Sequence, residues 1–231
     1  MIGFFKKFPE IKAVMSEKAD GSMKLLPGGE NDGNRNGFFA KIGIGENQVF
    51  SADLTHSSNV RKVSTDSPLI FSDTDALVAI GKNRFLSVTV ADCLPILFYE
   101  NKRGIVGIAH AGWRGLLAGV VENTIAEISA LGGSPENLHV AIGPAIEKCH
   151  FEIKEDVLGN FKDYADHIEK KDGKYFVDLK GIAKGKISSQ GVPTGNIEDT
   201  GHCTYSDPDL FSYRRDKPET VEAGIVLIGL I

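Results

Sequence analysis

The chain has 231 residues, a formal net charge of −5 and 42% hydrophobic residues. It is long enough to bury a substantial core, and the charge excludes a global attraction to nucleic acid or an anionic membrane surface. Three cysteines at irregular spacing argue against a disulfide framework and leave the thiols free for chemistry or burial.

The N-terminal MIGFFKKFPEIKAV places its basic residues after the first apolar group and lacks the apolar core of a signal peptide, and no run is long enough for a membrane span. A cytoplasmic protein is expected. IKAVMSEK is strand-like, and the polar, Gly- and Asn-rich Leu26 to Gly37 is expected to be a loop. QVFSADL, RFLSVTVAD, PILFYE, GIVGIAHA and HVAIG then read as short strands, several apolar on both faces, so both sides of the sheet should be covered. After Trp113, Leu117, Val120, Val121, Thr124, Ile125 and Ile128 recur at helical spacing toward Gly132 and Gly133, which predicts one amphipathic helix with a glycine stop. Further helices are predicted around Glu155 to Tyr164 and Leu179 to Gln190, with a last strand from Ala223 to Leu230. The uneven alternation predicts an α/β fold, one domain spanning residues 1 to 231 in which layered mixed β-sheets are flanked by helices.

Cys93 and His110 stand at the ends of two of these strands, and His56 follows an earlier one. Neighbouring strands would bring the side chains to one sheet edge, where three N and S donors leave a fourth position of a tetrahedral zinc open. Residue type alone leaves ordinary packing as the alternative for each. A Cys93 nucleophile activated by His110, as in a thiol hydrolase or deamidase, is another. In AHAGWRG, Gly112 and Gly115 bracket a strand-to-helix turn that could present N–H groups to an anion, with Arg114 as a phosphate fork; the competing reading has Trp113 in the core and Arg114 in water. In FSYRRD, Arg214 and Arg215 would point to opposite sides of an extended segment, so one at most should enter a pocket. The pairs Cys149-His150 and His202-Cys203 rank below the main trio, because adjacent residues rarely reach one metal together.

ADCLPILFYE, GIAHAGWRG, IGPAI and FSYRRD, in this order, resemble the YfiH-type family, also labelled multicopper polyphenol oxidoreductase or laccase-like. Its members are described mainly as purine nucleoside phosphorylases with adenosine deaminase activity. The resemblance implies an α/β domain related to the deamidase domain of cytotoxic necrotizing factor, with metal ligands on His56, Cys93 and His110. It also implies a purine nucleoside such as adenosine, inosine or methylthioadenosine, and phosphate, as small-molecule partners. A monomer is the default expectation. Zn²⁺ is the expected metal and Cu²⁺ the alternative. Gly112, Arg114, Gly115 and Arg214 or Arg215 are then expected around phosphate, and Asp92 is the nearest candidate for a general acid beside Cys93 and His110. Zinc also activates water, so deamination could share the site.

Alternative activities are copper-dependent phenol oxidation and editing of a peptidoglycan precursor. The first is weakened by a total of six histidines and by methionines, Met1, Met15 and Met23, remote from the motifs. The chain departs from the family pattern in having AVMSEKADGS where Thr-Arg and Gly-Gly-Val-Ser are usual, Ser57 after His56, and Thr220-Val221-Glu222 where Thr-Gly-Arg is usual. These departures leave the metal trio intact and fall on the binding of the substrate anion.

Overall fold

A computed structural model describes residues 1–231. In chain order its elements are β1 (Ile2–Gly3), β2 (Ile11–Met15), α1 (Asp32–Lys41), β3 (Val49–Ala52), β4 (Val60–Val63), β5 (Ile70–Phe71) and β6 (Ala76–Ile80). There follow β7 (Phe85–Val90), β8 (Leu94–Glu100), β9 (Ile105–Ala111), α2 (Trp113–Ala118), α3 (Val120–Ala130) and β10 (Leu138–Ile142). The remainder comprises β11 (Glu152–Ile153), α4 (Glu155–Leu158), β12 (Ile168–Lys171), β13 (Lys174–Val177), α5 (Leu179–Ser189), β14 (Ile197–Asp199), α6 (Tyr213–Asp216) and β15 (Gly224–Leu230).

Two six-stranded mixed sheets, in the orders β1-β2-β15-β7-β3-β5 and β14-β10-β8-β9-β6-β4, are accompanied by a small antiparallel sheet β11-β13-β12. The double burial expected from the apolar strands is what stacks them. Along β8, Leu94, Ile96 and Phe98 face the helices α2, α3 and α5, while Leu97 and Tyr99 face the other large sheet through Leu86, Val88, Val226 and Ile228. The outer face of the first sheet is closed by α1, whose Phe38 and Phe39 pack with Met23, Ile225 and Leu227. Helix, sheet, sheet and helix thus form four layers, the layered α/β single domain predicted. No helix is long and apolar enough to cross a membrane.

Three local expectations are corrected. The loop predicted from Leu26 to Gly37 already contains the first half of α1, hidden because its early residues are polar or glycine. That helix is held from outside, by Phe38 and Phe39 and by the buried Arg35, which donates to Met23 O and to Ser51 Oγ at 2.8 and 2.7 Å. The single helix predicted after Trp113 is two, broken where Gly119 adopts φ 96°; the predicted apolar stripe survives in α3, where Val120, Val121, Thr124, Ile125 and Ile128 are buried. The helix predicted at Glu155 to Tyr164 is one turn of α4 followed by a kinked 3₁₀ segment to His167. The helix at Leu179 matches α5, whose N-cap Asp178 accepts from Gly181 N. Truncating Leu97→Ala between the sheets should cost about 2–5 kcal/mol in urea unfolding; a loss well below 1 kcal/mol would show that the two sheets do not share a core there.

Candidate metal centre and pocket

Residues 91–93 carry the chain from β7, in one large sheet, to β8, in the other. The strand that Cys93 ends is therefore not the neighbour of the His110 strand. The strand it begins is: β8 pairs antiparallel with β9, setting Leu94 opposite Ala111 and Pro95 opposite His110. This register brings Cys93 and His110 to one sheet edge. His56 lies beyond β3 in a loop, with φ 60°, a left-handed conformation uncommon outside glycine.

One buried acid, which the sequence reading missed, joins these pieces. Asp75, immediately before β6, accepts from His110 Nδ1 at 2.8 Å, from the backbone N–H of His56 at 3.0 Å and of Ser57 at 2.6 Å, and from Ser57 Oγ at 2.8 Å. Its backbone carbonyl also accepts from His110 N at 2.7 Å. With Nδ1 so engaged, His110 offers Nε2 as its free donor atom. His56 Nε2 stands 3.9 Å from Cys93 Sγ, and the three donor atoms of His56, Cys93 and His110 all lie within 4.8 Å of one another. About 3.3 Å separates two imidazole nitrogens, and about 3.6 Å an imidazole nitrogen and a thiolate, on one tetrahedral zinc, so a modest side-chain adjustment lets these atoms hold a metal. Gly112 belongs to the same packing: a Cβ there would stand 2.8 Å from His56 Cδ2 and 3.1 Å from Cys93 Sγ.

Burial opposes charge on Asp75, Cys93 and His110, and their contacts overcome it. Hydrogen bonds from His110 and Ser57 hold the Asp75 carboxyl down at about 2. The charge and hydrogen bonds of His110, with a smaller contribution from His56, bring the Cys93 thiol down to about 6. The Cys93 charge and the Asp75 hydrogen bond raise His110 to about 9. Both shifts favour a Cys93 thiolate beside a protonated His110, and a bound cation would take the place of the imidazolium proton.

The cluster lines a cavity of about 400 Å³, a size suited to a small organic ligand. Leu54, Trp113, Ile146, Phe151, Tyr213 and Val221 supply apolar lining, and Lys24 and Arg214 are its cations. Arg214 lies over the Phe151 ring and donates from Nη1 to Glu152 O at 2.9 Å. Lys24 was not anticipated; only its position in the folded chain distinguishes it from other lysines.

The other expected phosphate ligands are placed differently. Arg114 is exposed, does not line the cavity, and stacks 4.4 Å from the Trp113 ring. Gly115 is small because the Ser57 carbonyl would stand 2.6 Å from a Cβ, and α2 is too short to make an anion site of its turn. Arg215 turns away from the cavity and donates to the carbonyls of Thr204, Tyr205, Asp207 and Leu210. The two arginines do diverge as predicted, although on the short helix α6 rather than on an extended segment. Asp92, the expected proton donor, lines the cavity and accepts from Thr204 Oγ1 and from Arg214 N, both at 2.7 Å.

A layered α/β domain with a His, His, Cys cluster at a sheet edge defines a narrow class. The family model described as "multi-copper polyphenol oxidoreductase laccase" matches residues 30–228, and the chain belongs to that family. Its curated relatives carry a different activity in their names. It is 31% identical over 189 residues to a purine nucleoside phosphorylase of Deinococcus radiodurans, covering 81% of this chain and 72% of that protein. With purine nucleoside phosphorylase YfiH of Escherichia coli it shares 35% over 190 residues, covering 80% and 75%. The fold superposes on YfiH of Bacillus licheniformis with a TM-score of 0.86 at 26% identity, covering 96% and 93% of the two chains.

Asp75→Asn should weaken metal binding about ten- to a hundredfold in chelator competition, since the residue orients two ligands; unchanged affinity would remove Asp75 from the centre. In metal-free protein, Cys93 alkylation should rise with pH through about 6 and then level, because the thiolate is the reactive species; a rise centred near the ordinary thiol value of 9 would contradict the ion pair.

Proposed function

We propose that the protein is a metal-dependent purine nucleoside phosphorylase acting on adenosine and inosine, with methylthioadenosine as a further substrate, and with a secondary adenosine deaminase activity. The observation that carries the reading is the convergence of His56, Cys93 and His110 in a cavity that also holds two cations and an aromatic wall. In phosphorolysis a phosphate oxygen bonds to ribose C1′ as the bond from C1′ to purine N9 breaks, and the base leaves with that electron pair and takes up a proton. Positive charge develops on the ribose, so the site must hold the phosphate close and the base in place.

This chain has residues for both tasks. Phe151 and Tyr213 offer ring faces and Leu54, Ile146 and Val221 apolar contact for a purine. Arg214, fixed through its backbone by Asp92 and through Nη1 by Glu152 O, keeps further N–H groups for phosphate, and Lys24 supplies a second charge. His56, Cys93 and His110 would hold the metal, with Asp75 setting the His110 tautomer. Zinc bound there would supply Lewis acidity and a water ionising near pH 7, chemistry that serves phosphorolysis and purine deamination alike. A reducing cytoplasm would keep Cys93 reduced.

Copper oxidation of phenols fits the donor set less well, because Met15 and Met23 are sealed in separate cores and bring no thioether to the cluster. The lowered Cys93 thiol favours one second reading, a thiol hydrolase with Cys93 as nucleophile and His110 as its partner. The two differ in sign: zinc should activate a phosphorylase and inhibit a thiol enzyme.

The purified protein incubated with adenosine should release adenine and ribose 1-phosphate only when phosphate is present, and slowly form inosine without it. Cys93→Ala or exhaustive chelation should lower kcat/KM at least about a hundredfold, and added zinc should restore only the wild type. Phosphorolysis undiminished in Cys93→Ala would take the trio out of the mechanism.

A further inference from the structure

A second group of soft ligands lies outside this pocket. Cys149 and His150 are on the turn that leads into β11, and Cys203 is on the segment after β14; the donor atoms of all three fall within 4.8 Å of one another. Adjacency does not prevent Cys149 and His150 from converging, because the chain turns tightly here: His150 N and Phe151 N each donate to Glu147 O at 2.9 Å. The cluster expected to be secondary therefore assembles, but with Cys203 as its third member. His202 is instead half-exposed beside Asp207.

The distances suit a tetrahedral cation. Cys149 Sγ to Cys203 Sγ is 3.9 Å and Cys203 Sγ to His150 Nδ1 is 3.6 Å, against about 3.8 and 3.6 Å for two thiolates, or a thiolate and an imidazole, sharing one zinc. Cys149 Sγ to His150 Nδ1, at 3.0 Å, is shorter, and the exposed Cys149 side chain can rotate outward to open that edge. The scaffold is fixed before any ion arrives. The His150 ring stacks on Tyr205 at 4.2 Å. Ala145 and Cys203 form a β-bridge, with Ala145 N donating to His202 O and Thr204 N to Ala145 O. The buried ammonium of Lys180 bonds Glu147, on one loop, at 2.9 Å and reaches His202 O, on the other, at 3.5 Å.

We propose that Cys149, His150 and Cys203 form a second metal site, for a thiophilic divalent cation of the zinc type with solvent as its fourth ligand, which clamps the loop that walls the substrate pocket to the loop that supports it. One loop carries Ile146 and Phe151 into that pocket, and the other, through Thr204 on Asp92 and through α6, positions Tyr213 and Arg214. The cation is a structural clamp and touches no substrate.

The chain has three cysteines, one in the first cluster and two in the second, so sulfur-to-metal absorption reports the sites separately. The test is titration of the reduced, metal-free protein with Co²⁺, read by thiolate-to-cobalt charge-transfer absorption and tetrahedral d–d bands. Cys93→Ser should retain about two-thirds of the wild-type charge-transfer intensity, bind cobalt at the second site, and melt at a higher temperature with the metal than without. Cys149→Ser/Cys203→Ser should retain about one-third, which keeps the test available if either variant folds poorly. Removal of all three thiols should abolish the band. The proposal is overturned if Cys93→Ser shows no charge-transfer band, if the double variant keeps the full wild-type intensity, or if Cys149 and Cys203 of the reduced protein remain fully reactive to a thiol reagent with zinc present. Because the Cys93→Ser arm does not use the first cluster, failure of the proposed phosphorylase activity leaves this result readable.

Discussion

The hydrogen bonds converging on the Asp75 carboxylate are the constraint from which the rest of the centre follows. A carboxylate buried this completely is costly unless its oxygens are satisfied, and here one oxygen takes His110 Nδ1 and the His56 N–H while the other takes the Ser57 backbone and hydroxyl. The same atoms that pay for its burial orient one imidazole and hold the loop of the other in its left-handed turn. Loop 55–57 and strand β9 are distant in sequence, so nothing local would keep His56 facing His110. Removing the carboxylate would loosen the geometry without removing a ligand.

The sheets supply what Asp75 cannot. Cys93 reaches the cluster because the chain changes sheets between Val90 and Leu94, and the β8–β9 register then places it beside His110. Asp92, at the middle of that crossover with φ 91°, sits in a backbone region a side chain seldom adopts, and its two oxygens tie the crossover to Thr204 and Arg214. Strain at Asp92 and the absence of a side chain at Gly112 thus serve one end, which is to let three donors and an arginine crowd around a single cavity.

Much of the architecture was legible because its strands are apolar on both faces, which requires cover on both sides, and the two stacked sheets with outer helices are that cover. The trio was legible for a related reason: His and Cys are scarce in this chain, and three of them fall near strand ends. Asp75 was not, since an acid before the unremarked strand ALVAI resembles any polar strand boundary and only tertiary burial makes it exceptional. Arg114 and Arg215 were expected at the anion because guanidinium chemistry suits phosphate, but the same planar donors serve equally well over Trp113 or across four carbonyls, and residue type cannot separate these uses. The start of α1 was concealed by its composition, since that helix depends on Phe38, Phe39 and Arg35 docking on the sheet more than on its own propensity. Cys149 and His150 were discounted by a rule about neighbours that a tight turn overrides.

In the proposed centre His56, Cys93 and His110 share one ion. Crystals of catalytically active protein, purified without added metal and measured on both sides of the zinc absorption edge, test this most directly. An anomalous peak is expected within about 2.0–2.3 Å of His56 Nε2, Cys93 Sγ and His110 Nε2, with His110 Nδ1 still on Asp75. Active crystals with no peak at that position above any absorption edge of a transition metal, and with the three donors bonded only to one another, would contradict it.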